Sequence, residues 1–132
     1  MFWKVAMKPG KPLAFGRIDD VPIFGLPGNP VSSFVSFEQF ARPSIRKMMG
    51  AIQLSHRSVQ AKLTRTIHKK AGRQHFLSAY VQWENGECTV NPTQEQGSGI
   101  LKSTVNANGL LIFPLELTEM TEGTEVTVQL LE

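Results

Sequence analysis

Phe76-Leu77-Ser78-Ala79-Tyr80-Val81-Gln82-Trp83-Glu84-Asn85-Gly86-Glu87-Cys88-Thr89-Val90-Asn91-Pro92 decides the fold class of the longer half of this chain. Parts of the first eight residues alternate apolar and polar, the period of a half-buried strand. Asn85-Gly86 tolerates the positive φ of a hairpin turn, and Cys88-Thr89-Val90-Asn91-Pro92 is the return strand. Outward from this hairpin the same texture continues. Val59-Gln60-Ala61-Lys62-Leu63-Thr64 alternates with period two, and so does Glu125-Val126-Thr127-Val128-Gln129-Leu130-Leu131 after a turn at Glu122-Gly123. Gly109-Leu110-Leu111-Ile112-Phe113-Pro114 is a further strand. Short strands with turns at about ten-residue spacing predict a small all-β sandwich or barrel. Phe76, Tyr80 and Trp83 read as core residues of a half-buried strand rather than as a base-stacking surface.

The first fifty residues differ. Phe2-Trp3-Lys4-Val5-Ala6-Met7 and Leu13-Ala14-Phe15-Gly16-Arg17-Ile18 read as extended, with a turn at Asp19-Asp20. Val21-Pro22-Ile23-Phe24-Gly25-Leu26 is a short apolar run, as a buried strand would be. A helix follows. Asn29 is a good N-cap, and Pro30 then occupies the first helical position. Val31, Phe34, Val35, Ala41, Ile45, Met48 and Met49 recur at helical spacing, with Phe37 and Phe40 widening the stripe. Pro43 should kink this helix about one turn before it, and Gly50 is a natural C-cap. So apolar a helix is expected to pack on two sides. The fold class is therefore α+β: a β-strand/helix segment over residues 1–50, a linker at 51–56, and an all-β barrel-like domain over 57–132.

Composition bounds the function classes. Of the 132 residues, 41% are apolar and 19% charged, as in a globular protein. No apolar run approaches the roughly 20 residues of a membrane span, and Met1–Met7 lacks the apolar core and small-residue cleavage site of a signal peptide. A single cysteine, Cys88, excludes an internal disulfide and fits the cytoplasm. His56, His68 and His75 lack metal-ligand spacing, so no zinc site is expected, and Asp19 and Asp20 in a turn are poor candidates for a Ser/His/Asp triad. Net charge is +3, unevenly spread. Between Glu38 and Glu84 lie Arg42, Arg46, Lys47, Arg57, Lys62, Arg65, Lys69, Lys70 and Arg73, with no acid. The tail beyond Arg73 has Lys102 against eight glutamates. A basic middle points to an anionic partner or to a merely solvated face.

The candidate site residues lie on Gly/Pro loops. Lys8-Pro9-Gly10-Lys11-Pro12 places two lysines three residues apart on a stiffened backbone. Gly25-Leu26-Pro27-Gly28-Asn29-Pro30 opens directly into the apolar helix, where backbone N–H groups and Ser32 could meet an anion. Without wider context each piece also reads as something plainer: solvated lysines, an ordinary helix entry, a flexible turn at Gly97-Ser98-Gly99, a surface arginine at Arg73.

Those motifs together carry a resemblance. Lys8-Pro9-Gly10-Lys11-Pro12, Phe24-Gly25-Leu26-Pro27-Gly28-Asn29-Pro30-Val31-Ser32, Arg42-Pro43-x-x-Arg46-Lys47, Gly72-Arg73-x-x-Phe76 and Gln96-Gly97-Ser98-Gly99 resemble the MoeA family. These are the molybdopterin molybdenumtransferases, and the family includes the gephyrin E domain. The resemblance covers essentially the whole chain but only the last third of a family member. It implies that residues 1–50 are the end of a molybdopterin-binding α/β domain and residues 57–132 the C-terminal β-barrel domain. It implies a reaction in which adenylated molybdopterin and molybdate give molybdenum cofactor and AMP. Lys8, Lys11, Arg73 and Ser98 would bind molybdate, and Pro12, Pro27, Gly28, Asn29, Pro30 and Ser32 would face the pterin substrate. Mg²⁺ would be held by acidic residues upstream of this chain, so the chain alone would be inactive. A homo-oligomer, a dimer, is expected, with neither membrane nor nucleic acid as partner. The competing readings are a scaffold module of the gephyrin type and an anion- or nucleic-acid-binding barrel.

Overall fold

The computed structural model describes residues 2–4, 6–9, 12–93 and 99–132. The chain divides into two compact units, Met1–Ser55 and His56–Glu132.

The first unit holds four strands, β1 (Phe2–Lys4), β2 (Met7–Lys8), β3 (Pro12–Ile18) and β4 (Val21–Gly25). β3 is central in an antiparallel β1-β3-β4 sheet. The β3–β4 hairpin turns at Asp19-Asp20, with Asp19 at φ 53°. Phe15 and Phe24 face each other across it, their ring centroids 4.9 Å apart. β4 does not behave as the buried strand expected from its apolar run: Val21 is 64% exposed and Ile23 is 42% exposed. Among the described residues its hydrogen-bonding partner in the sheet is β3, and Pro22, which has no N–H to donate, suits such an edge position.

The helix follows as α1 (Pro30–Ser36) and α2 (Arg42–Met48), joined by a wider π-helical turn over Phe37–Ala41. The interruption falls where Pro43 predicts it. Proline removes one N–H and its ring crowds the preceding turn. The Arg42 N–H reaches back five residues to the Phe37 carbonyl, and the Ser44 hydroxyl donates to the Phe40 carbonyl at 2.9 Å. Gly50, at φ 80°, ends the helix. Its N–H bonds the Lys47 carbonyl and the Ala51 N–H bonds that of Arg46, the paired bonds of a Schellman motif. Val35 and Ala41 are buried, yet Met48 and Met49 are 63% and 78% exposed, so within the described residues the far half of the helix is not covered on two sides.

The second unit contains β5 (Ser58–Leu63), β6 (Ile67–His68), β7 (Gln74–Glu84), β8 (Glu87–Pro92), α3 (Gly99–Asn106), β9 (Gly109–Phe113), β10 (Glu119–Met120) and β11 (Glu125–Leu130). The order β7-β8-β5-β11-β9 closes on itself because β9 also pairs with β7, from His75↔Phe113 to Ala79↔Gly109. Closure leaves none of these five strands as an edge. β5–β8 is parallel and the other pairs are antiparallel. Inward residues recur every second position in β11 (Val126, Val128, Leu130) and pack with Leu63, Val81, Val90, Leu111 and Phe113. Gly109 lies where a Cβ would approach Val128 Cγ1 to 2.7 Å, so only glycine lets the strands come this close.

Asn85 (φ 52°) and Gly86 (φ 76°) form the expected hairpin turn, and Gly123 (φ 86°) the later one. Two core assignments fail. Phe76 is buried, but Tyr80 is 45% and Trp83 59% exposed. The inward set of β7 runs through Ala79 and Val81, which puts Tyr80 on the outer face. Trp83 lies next to the hairpin turn. Helix α3 was not evident in the sequence, where Gly97-Ser98-Gly99 reads as a turn. It leads into Asn108, whose side chain accepts from the Val81 N–H at 2.7 Å and donates to the Val81 carbonyl at 3.0 Å. An amide side chain thus extends the β7–β9 pairing by one step.

Candidate anion-binding site

Lys8 is exposed, at the end of β2, and its peptide bond to Pro9 is cis. Pro12 opens β3, paired with Lys4 of β1. Lys11 and Ser98 lie outside the described residues. Among the described residues the Lys8 ammonium has no ion-pair partner, unlike Arg17, which meets Asp20 at 2.7 Å in the same unit.

The second loop behaves differently from its sequence expectation. Asn29 caps α1: its Oδ1 accepts from the N–H of Val31 at 3.0 Å and of Ser32 at 3.3 Å. The Ser33 N–H bonds the Asn29 carbonyl, and Pro30 has none to offer. The first-turn amides expected to meet phosphate are therefore already satisfied within the loop. The NH₂ of Asn29 and the Ser32 hydroxyl are further polar groups at this end. Gly28, Asn29 and Pro30 are exposed, Pro27 and Ser32 half-buried. No atom lies within 4 Å of where a Cβ on Gly28 would sit, so open space faces that position.

In the second unit the acid-free stretch does not survive folding as a free basic surface. The Arg57 guanidinium pairs with Glu132 at 2.8 Å and the Lys62 ammonium with Glu87 at 2.6 Å, and Glu87 holds Lys62 above its usual pKa by hydrogen bond and charge. Arg65 donates to the Pro92 carbonyl. In the first unit Arg42 lies 3.8 Å from Glu38 and Arg46 donates to the Gln53 carbonyl. Strand pairing explains much of this. β5 lies between β8 and β11, so it meets the glutamate-bearing tail. Lys47, Lys70 and Arg73 remain without a partner among the described residues.

Arg73 is exposed at the end of the loop 69–73, next to β7. Gly72, at φ 106°, makes the turn before it in a conformation that other residues rarely adopt. The Gly72 N–H bonds the Leu115 carbonyl at 3.3 Å and the Lys69 N–H bonds that of Thr118 at 2.9 Å. The loop thus continues the β6–β10 ribbon, in which His68 pairs with Glu119. Lys69 counts in the sequence as one more cation. In the structure its Nζ donates to the carbonyls of Leu117 at 2.5 Å, Leu115 at 3.3 Å and Lys70 at 3.5 Å, 4.8 Å from the Phe113 ring centroid. No local signal marks this role, because two of its acceptors come from 46 and 48 residues downstream. Among the described residues no three His, Cys, Asp or Glu side chains converge in a way that could hold a metal ion, so they do not fit a Mg²⁺ site.

Comparison with known proteins fits both units. Residues 60–131 match the family described as MoeA C-terminal region (domain IV), and residues 1–47 that described as "Probable molybdopterin binding domain". The chain is 37% identical to the molybdopterin molybdenumtransferase of Haemophilus influenzae, across 97% of its own length and 32% of that protein. It is 39% identical to molybdopterin molybdenumtransferase 2 of Mycobacterium tuberculosis, across 96% and 31%. The crystal structure of the molybdopterin biosynthesis moeA protein from Pyrococcus horikoshii OT3 aligns with a TM-score of 0.78 at 34% identity, covering 99% of this chain and 32% of that one. The chain therefore spans about a third of the length of the curated relatives it matches. With more than half its length in the matched C-terminal region and its barrel shared with a solved relative, the chain belongs to the MoeA family.

Proposed function

We propose that this chain is the molybdate-side portion of a molybdenum-insertion enzyme, in which adenylated molybdopterin and molybdate give molybdenum cofactor and AMP. The observation that carries this reading is the family match over both units in one chain order. On this reading residues 1–50 are the end of a molybdopterin-binding α/β domain and residues 57–132 the C-terminal β-barrel domain, joined by 51–56. Molybdate, the substrate, is a tetrahedral dianion and needs converging cations and donors. Lys8 and Lys11 supply compact charge, Arg73 a planar fork of donors and Ser98 a hydroxyl. Among the described residues neither Lys8 nor Arg73 has an ion pair to break on binding, which supports their assignment. Pro12, Pro27, Gly28, Asn29, Pro30 and Ser32 form the pterin-facing surface, acting through side chains and shape rather than through first-turn amides.

On this reading Mg²⁺ and the hydrolysis of the adenylate are the work of the part of the family that this chain does not span. Its place is the cytoplasm, which the single cysteine supports. In a full-length protein, Lys8→Glu or Arg73→Glu abolishes molybdenum insertion while circular dichroism stays unchanged; undiminished insertion by either variant refutes the site. The exposed Met48, Met49 and Val21 support self-association. Light scattering is expected to give a dimer or larger, and a clean monomer contradicts it.

A further inference from the structure

We propose that Lys69 is a positioning residue for Arg73, holding the loop 69–73 in the shape that presents the guanidinium to an oxyanion. The inference rests on the reading of Arg73 as an anion ligand. It goes beyond that reading by naming what fixes the arginine in place.

The argument begins with an exposed arginine, which has many rotamers and a loop backbone beneath it. Each freedom left unrestrained is lost on binding and weakens affinity. The loop itself has little to hold it. Its backbone bonds to the facing segment are those of Lys69 and Gly72, the second at 3.3 Å. Its turn depends on Gly72 in a left-handed conformation. The Lys69 ammonium adds what the backbone lacks. It draws the Leu115 and Leu117 carbonyls of the facing segment and the Lys70 carbonyl of its own loop onto one cation. The face of Phe113, a residue 1% exposed in the barrel core, lies beneath it. Leu115 accepts from both Lys69 and Gly72, so the clamp and the turn before Arg73 share one acceptor. Two of these charge-assisted bonds tie the loop to the segment that follows β9, and the third closes the loop on itself. The Lys70 ammonium, one residue on, is exposed and has no partner among the described residues, and so provides an internal control for charge.

Molybdate is the probe, and the chain itself is the protein. Lys69→Met keeps the apolar stem over Phe113 and removes the donors. Lys70→Met removes the same charge from the same loop without touching the clamp, and Lys69→Arg restores charge and donors. By calorimetry, Lys69→Met is expected to weaken molybdate binding about tenfold, the scale of one lost charge-assisted contact. Lys70→Met should change it less than about twofold, and Lys69→Arg should recover most of the loss. Amide exchange at Lys69 and Gly72 should quicken in Lys69→Met while exchange in β11 does not. The decisive comparison is Lys69→Met in an Arg73→Ala background, where the tenfold effect should vanish because the group being positioned is gone. If Arg73→Ala alone leaves binding unchanged, the anion-ligand reading fails and takes the inference with it. If Arg73→Ala weakens binding but Lys69→Met does not, or does so no more than Lys70→Met, the reading stands and the positioning role is overturned. An effect of Lys69→Met that persists undiminished without Arg73 overturns it equally.

Discussion

Among the five barrel strands β5, β7, β8, β9 and β11 each has two of the others as neighbours, whereas in the first unit, among the described residues, β1 and β4 each pair with β3. Side chains follow the same division. The barrel packs Leu63, Val81, Val90, Leu111 and Val128 with Phe113 in one buried cluster and pairs Arg57 and Lys62 with glutamates. The first unit leaves Val21, Met48 and Met49 to solvent and, among the described residues, Lys8 without a partner. Charge that is segregated along the chain is thus mixed in space, because strand pairing brings the basic middle beside the acidic tail. The cations worth asking about are those that folding leaves over. That is why Arg73 remains a candidate while Arg65 and Lys62 do not.

The sharpest way to break this contrast is to remove the barrel's centre. Phe113→Ala deletes the largest fully buried side chain, and its cost should be about 3–5 kcal/mol, as for other buried aromatics. Urea unfolding followed by near-ultraviolet signals checks it. A loss below about 1 kcal/mol would mean that the barrel core tolerates a void, and the contrast between a closed and an open unit would lose its basis.

A smaller test concerns the first unit. Asn29→Ala removes the cap of α1 and should destabilise that unit by about 1 kcal/mol, the usual value for a lost N-cap. The same substitution releases the N–H groups of Val31 and Ser32. If those amides then bind phosphate, affinity for inorganic phosphate rises in the variant. No gain means that the loop has no anion role through its backbone even when the donors are free. Asn29→Ser, which restores a capping oxygen, should recover the stability.

The strands of the barrel were legible because each writes its own period: Val126, Val128 and Leu130 alternate, and Asn85-Gly86 names its turn without help from elsewhere. The helix was legible from Asn29 through Gly50, with Pro43 marking the interruption. What was not legible is nonlocal. Tyr80 and Trp83 look like core residues from composition, but the inward parity of β7 is set by its partners β8 and β9. Lys69 looks like any lysine until the carbonyls of Leu115 and Leu117 arrive beside it. Asn108 looks like a loop residue until Val81 presents its backbone. At the candidate site, the residue types of Lys8 and Arg73 were legible and their lack of partners among the described residues was not, because partners are assigned by topology.

The smallest expected effect lies on the alkaline limb of stability, and it separates the two kinds of environment within the barrel itself. Cys88 is half-buried against the core, and burial pushes its thiol above the usual range. Lys62 is exposed, and its pKa is raised by the hydrogen bond and charge of Glu87. Both groups have a folded-state pKa above the unfolded one, so both contributions are complete below the unfolded values and decline as pH rises through the folded ones. The windows differ. An unfolded thiol titrates near about 8.5 and an unfolded lysine near about 10.4, so the cysteine limb comes first. Thiolate, not thiol, reacts with iodoacetamide. The pH midpoint of Cys88 alkylation should therefore lie higher in the folded chain than in urea, and Cys88→Ala should flatten only the earlier part of the alkaline decline. An equal midpoint in both states would mean that water reaches the sulfur freely, and that the barrel near the β7–β8 hairpin is as open as the first unit.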